Sequence, residues 1–231
     1  MNKIIIDKEN YIELNNENVT LDIKVEKLVI DIKGHVLLNE IAREYNENLD
    51  LEIKLNPNSS LIYNRFMIHN TINNKIKIIQ DNNSSIIFNY SLIANAECKL
   101  DILSELNGNN NQTQIKVKSV TLNNGKVTIK TSALVKEHIK DNDLLESIKV
   151  LLLNDLESII IPDLLVSSNE VVVNHAATLS SVNKDELQYL MGKGLSLDNA
   201  KDLIKDGFLI SNLIINEEEK ERIKLLLDGG E

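Results

Sequence analysis

The sequence predicts a mainly β chain that ends in a small helical unit, with strands over residues 1–180 and helices over 181–231. Three observations predict it. Apolar and polar residues alternate with a period of two through most of the first 180 residues. Turn segments rich in Asn, Gly and Ser recur between those runs. Beyond Ser180 the apolar period becomes helical, with a capping residue at each start. Many short strands of roughly even spacing fit a sandwich, a barrel or a solenoid. No fixed-length repeat decides among them, although small aliphatic residues between Asn-rich turns lean toward a parallel β-helix.

Taken in order, alternation appears at Leu21, Ile23 and Val25, at Leu28, Ile30 and Ile32, and at Leu49, Leu51, Ile53 and Leu55. It continues at Ile76 and Ile78 and runs longest from Phe88 through Tyr90, Leu92, Ala94, Ala96, Cys98 and Leu100 to Ile102. It returns at Ile115 and Val117 and at Val127 and Ile129. Segments 56–60, 82–85 and 107–110 are the turns, since Asn and Gly tolerate left-handed backbone angles. Residues 132–153 fit helical and strand spacing equally, and strands around a loop are expected there. Asn183 with Glu186 reads as a capping pair for a first helix that stops at Gly192 and Gly194. Ser196 caps a second, with Leu197, Ala200, Leu203 and Ile204 as its apolar side and Gly207 as its end. A third starts at Asn216, holds Glu217, Glu218 and Glu219 in its first turn, where the helix dipole favours them, and stops at Gly229.

Composition narrows the function. Aromatic residues are only 3% with no Trp, so Ile, Leu and Val must build the core. A net charge of −10 repels phosphate backbones and anionic lipid, which argues against nucleic acid and membrane partners. Apolar runs are short, the N-terminus has no leader pattern, and one cysteine allows no internal disulfide, so a cytoplasmic protein is expected. The phosphate-binding loop of an ATPase is missing, as are the nucleophile elbow of a hydrolase, a His-Glu-x-x-His pair and a Cys-x-x-Cys pair. The chain therefore reads as a non-enzyme that binds no nucleotide itself.

The stretch from Val171 to Leu209 carries the most specific signal. A hydrophobic strand leads into Asn174-His175-Ala176-Ala177-Thr178, followed by Tyr189-Leu190-Met191, a Gly192-Lys193-Gly194 break and a closing Gly207-Phe208. This order resembles the C-terminal signature of the SufB/SufD family, the scaffold proteins of SUF iron–sulfur cluster assembly. Leu151-Leu152-Leu153 and Ile161-Pro162-Asp163-Leu164 extend the resemblance upstream. Gln188, Val173 and Leu165 depart from it, standing where the family usually carries Phe, often Cys, and Glu. The chain is also short for the family, as a minimal or a degenerate member would be.

The resemblance implies a right-handed parallel β-helix over 1–180 and a C-terminal helical subdomain over 181–231 that docks a SufC-like ABC-type ATPase. It assigns Tyr189, Leu190, Gly194, Ala200, Gly207 and Phe208 to that partner-binding region. It also implies a homodimer or a SufB/SufD-like heterodimer that holds a transient iron–sulfur cluster, with His175 in the assembly site between subunits. Imidazole is a good iron ligand, yet a histidine in phase with Val171, Val173 and Ala177 is equally a packed one. Cys98 is the other candidate metal ligand, and its phase with Leu92, Ala94, Ala96 and Leu100 points it into the core. One thiol cannot hold a cluster as ferredoxins do. A dimer would pair two copies of His175 and Cys98, with Asp163 or Glu170 beside them. A metal-free structural subunit of the same complex is the alternative. A carbohydrate-active β-helix fits the 3% aromatic content poorly, and a polymerising β-helix conflicts with a capped helical end.

Overall fold

The structure, a computed structural model, describes residues 2–43 and 48–229. Among these residues fifteen strands form two parallel sheets. The eight-stranded sheet stacks β1 (Asn2–Ile6), β3 (Asn18–Ile23), β5 (His35–Arg43), β7 (Ser60–His69), β9 (Ser85–Ala94), β11 (Gln112–Thr121), β13 (Asn142–Leu152) and β15 (Val171–Ser181). The seven-stranded sheet stacks β2 (Tyr11–Asn15), β4 (Lys27–Lys33), β6 (Asn48–Leu55), β8 (Ile72–Gln80), β10 (Glu97–Leu106), β12 (Lys126–Val135) and β14 (Ile159–Val166). Successive strands alternate between the sheets, so each pair is one rung of a parallel β-helix, the architecture expected.

Parallel register places every inward side chain on its counterpart in the next rung. Leu28, Leu51, Ile76 and Ile102 form one such ladder, and Ile30, Ile53 and Ile78 another. All seven are buried, and each contributes about 1.5–3 kcal/mol on leaving water. The long alternation from Phe88 to Ile102 divides into β9 and β10, which lie in different sheets. Alternation continues through the corner because one rung's interior is shared by both sheets, so phase alone hides the turn at Asn95–Ala96.

Corners also stack. Asn58, Asn83 and Asn110 take left-handed backbone angles, and the Asn83 amide donates to Asn109 O at 2.9 Å. Stacking explains Gly108, where a Cβ would lie 2.2 Å from the Asn82 amide nitrogen of the rung below. Residues 132–153 become β12, a loop and β13, as expected.

One cluster of charged and polar side chains is paired inside the middle of the solenoid. Glu40 accepts from Tyr63 Oη at 2.5 Å, and its Oε2 lies 3.0 Å from Arg65 Nε as an ion pair without hydrogen-bond alignment. The Arg65 guanidinium also covers the Tyr90 ring at 5.0 Å. Burial raises the proton affinity of Glu40, and Arg65 and Tyr63 oppose that rise.

Three helices follow, α1 (Lys184–Gly192), α2 (Leu197–Ile210) and α3 (Glu217–Leu227). Asn183, Ser196 and Asn216 cap them, and the reciprocal capping box belongs to Asn216 with Glu219. Helix α2 continues through Gly207 to Ile210, because its last turn packs on the eight-stranded sheet; Leu209 is fully buried there. That packing also revises its apolar side. Ala200 is buried and Ile204 half-buried, whereas Leu197 and Leu203 face solvent.

An asparagine ladder anchors this unit. Asn89 donates to Asn64 at 3.0 Å and Asn64 to Asn39 at 2.9 Å, while Asn64 exchanges hydrogen bonds with the backbone of Ile214 at 2.7 and 2.8 Å. Asn212 donates to Tyr90 O at 3.1 Å, and Lys118 to Phe208 O at 3.0 Å. Phe66, Ile68, Ile93 and Val120 on the sheet's outer face pack with Leu209, Ile223 and Leu226 of α2 and α3.

His69 gives the solenoid a pH dependence. Burial, together with the nearby Arg65 cation, lowers its pKa from 6.5 to about 3, so the folded chain keeps it neutral. Between those values the unfolded chain binds more protons. Stability from this group is therefore complete above the unfolded value and is lost as pH falls toward the folded one, at up to about 1.4 kcal/mol per pH unit. Urea midpoints followed from about pH 7 to about pH 5 should fall less steeply for His69→Gln than for wild type.

Candidate functional site

The solenoid ends on β14 and β15, each hydrogen-bonded to a neighbouring strand on one side only. Both are apolar at consecutive positions, Ile159–Ile161 and Val171–Val173, as are several of the strands below them. Such runs suit strands covered on both faces. Here they are uncovered: Ile159, Ile161 and Leu165 of β14 and Val172 and Leu179 of β15 are exposed. One rung earlier Val150, the register partner of Leu179, is buried, whereas Val172 and Ile161 lie on the outer face in register with Asp143 and Lys130. The open end is thus a missing rung's worth of apolar surface and unpaired backbone, which soluble proteins normally cover or blunt.

His175 lies on this edge. Register pairs it with Glu146 of β13 in the ladder Leu38, Tyr63, Phe88, Ile115, Glu146, His175. The sequence phase holds, but no rung caps β15, so the histidine is exposed rather than packed. Glu146 below it is wholly buried, and neither carboxylate oxygen makes a hydrogen bond. Burial raises its proton affinity; Thr131 of the facing sheet and His175 oppose that rise, so both lie near it, although the Thr131 hydroxyl has no aligned partner. Sequence reading passed over Glu146, whose 29-residue separation from His175 closes only through one turn of the solenoid.

The remaining candidate ligands lie elsewhere. Cys98 faces the interior between Ile72 and Val127 on β10, two strands from the open edge of its sheet. Asp163 has the register of Ser132 on β14, and Glu170 sits in the exposed turn before β15. Among the described residues no three His, Cys, Asp or Glu side chains gather as a metal-binding group. None of their helices is long and apolar enough to cross a membrane.

The helical unit divides into a docked part and a free part. Ala200 is buried and Phe208 half-buried, its ring 4.9 Å beneath the Lys118 ammonium. Leu190 is half-buried. Tyr189, Gly194 and Gly207 are exposed, and helix α1 buries no residue at all. Tyr189 and Met191 of α1 with Leu197 and Leu203 of α2 therefore present large apolar side chains to solvent.

Burial raises the Cys98 thiol pKa to about 12, and the side chain is 1% exposed. Thiolate is the reactive form. Cys98 should therefore resist a disulfide-exchange reagent in the native protein and react stoichiometrically in denaturant, as thiol titration with and without urea will show.

Two comparisons bear on these features. The profile described as the SUF-system iron–sulfur cluster assembly SufBD core domain matches residues 42–208, well over half of the chain. An iron–sulfur cluster assembly SufBD family protein of Methanocaldococcus jannaschii is 30% identical over 116 residues, covering 48% of this chain and 34% of the relative. The matched segment is about a third of that relative's length.

Proposed function

We propose a role that starts from one fact: the chain belongs to the SufBD core family of the SUF iron–sulfur cluster assembly system. It acts as a scaffold subunit, joining a second copy or a related subunit through its β-helix and binding an ABC-type ATPase through its C-terminal helices. The observation that carries this reading is the open end of the solenoid. Two edge strands with apolar side chains on both faces need a cover, and an equivalent edge from a second β-helix supplies matching backbone donors and acceptors as well as apolar area. His175 would then lie at the subunit boundary, where a transient cluster is built and released.

The ATPase reading rests on α1 and the start of α2, where Tyr189, Met191, Leu197 and Leu203 are exposed. Docking there leaves the asparagine-anchored half of the unit fixed to the β-helix. Nucleotide-driven movement of the partner would in this way pull on the rungs that carry the edge.

Two measurements test the reading. Light scattering coupled to gel filtration should give a dimer mass for wild type and a monomer mass for Ile161→Lys with Val172→Lys, because charges at a paired edge oppose strand addition. Co-purification with a tagged ABC-type ATPase of the SUF system should be retained by that variant and lost by Tyr189→Ala with Leu203→Asp. A wild type that is monomeric and fails to capture the ATPase would sink the scaffold role.

A further inference from the structure

Among the described residues two glutamates are buried inside this solenoid, Glu40 and Glu146, and their surroundings differ in kind. Glu40 has Tyr63 Oη at 2.5 Å and Arg65 Nε at 3.0 Å, so its charge is met from within the chain. Glu146 is equally buried, yet the Thr131 hydroxyl near it has no hydrogen-bond alignment and, among the described residues, no lysine or arginine forms an ion pair with it. An unmet buried carboxylate is among the costlier groups a fold can hold. The ladder beneath it is Ile115, Phe88, Tyr63 and Leu38, which supplies no cation. Above it stands only His175, and above His175 the solenoid is open. A cation from outside reaches Glu146 through this open end, beside the imidazole.

We propose that Glu146 and His175 form half of a ferrous-iron site, the carboxylate rising from the interior ladder and the imidazole coming from the edge strand. The proposal rests on the scaffold reading for its cargo and adds the ligand that reading lacks. A carboxylate and an imidazole suit a divalent iron ion, whereas iron–sulfur clusters are usually held by thiolates. The chain's one thiol faces the core two strands from the edge, so the first species bound here is ferrous iron rather than a finished cluster. Two protein donors leave most of the coordination sphere vacant. The equivalent pair of a second subunit, water or sulfide would complete it, and incomplete ligation permits release.

The test is anaerobic titration of the purified full chain with ferrous iron against a competing chelator, with cobalt(II) absorbance as a spectroscopic probe of the same site. Wild type should bind saturably with cobalt ligand-field bands. Glu146→Gln and His175→Ala should each weaken binding at least about tenfold, the lower range for disturbed metal sites, while Glu9→Gln in the exposed turn between β1 and β2, at the far end of the solenoid, should leave it unchanged. Glu146→Gln keeps the side-chain shape and removes the unmet charge, so its metal-free form should melt no lower than wild type. His175 is exposed, so His175→Ala reports on the site even if the interior variant misfolds. Iron affinity unchanged in a folded Glu146→Gln or in His175→Ala overturns the proposal. Mass and ATPase capture are read on the same samples. If they hold while iron ignores Glu146, only this site falls; if they fail while iron still depends on Glu146, the scaffold reading falls and the site stands.

Discussion

Each rung of a parallel solenoid is buried by its two neighbours and by little else, and the rest of this structure follows from that dependence. Inward side chains stack on their counterparts one turn away, so the core is a set of continuous aliphatic ladders rather than a cluster around a centre. Backbone hydrogen bonds obey the same rule, since every strand donates and accepts across to the rungs on either side. A rung without a neighbour loses both at once. The terminal strands β14 and β15 are in that position, and their consecutive apolar residues are what a covered rung would carry.

The same rule decides how polar groups survive inside. Where rungs exist on both sides, the chain can place a partner in the next one: Glu40 and Arg65 are register neighbours in adjacent strands of one sheet. Glu146 has a neighbour below that is apolar and a neighbour above that is the exposed histidine. The interior charge is thereby displaced to the mouth of the solenoid, where an outside ion can reach it. Position in the stack, more than residue type, separates a structural carboxylate from a binding one.

The helical unit uses the outer face of the eight-stranded sheet as its floor. Asn39, Asn64 and Asn89 stack there because parallel register brings identical side chains together, and an amide that donates on one side accepts on the other. Ile214 joins the ladder through its backbone, which ties the segment between α2 and α3 to the middle rungs. Helix α1 lies beyond this anchor and buries nothing. The floor is thus fixed to the core while the outer helix is left exposed.

Much of this was legible in the chain itself. Period-two alternation, Asn-rich corners and the capping residues are local signals, each acting over a few residues, and apart from the corner at Asn95–Ala96 they set strands, turns and helix starts close to where the structure has them. The motif order around His175 set the family. One further signal was present and unread, the 25-residue spacing of Asn39, Asn64 and Asn89, hidden by how common Asn is. What tertiary structure alone decided is the set of neighbours. The sheet that each strand joins, the buried face of α2, the core position of Cys98 and the pairing of Glu146 with His175 all depend on how much chain one solenoid turn consumes. That length varies from rung to rung with the corners, and no local pattern in the sequence reports it.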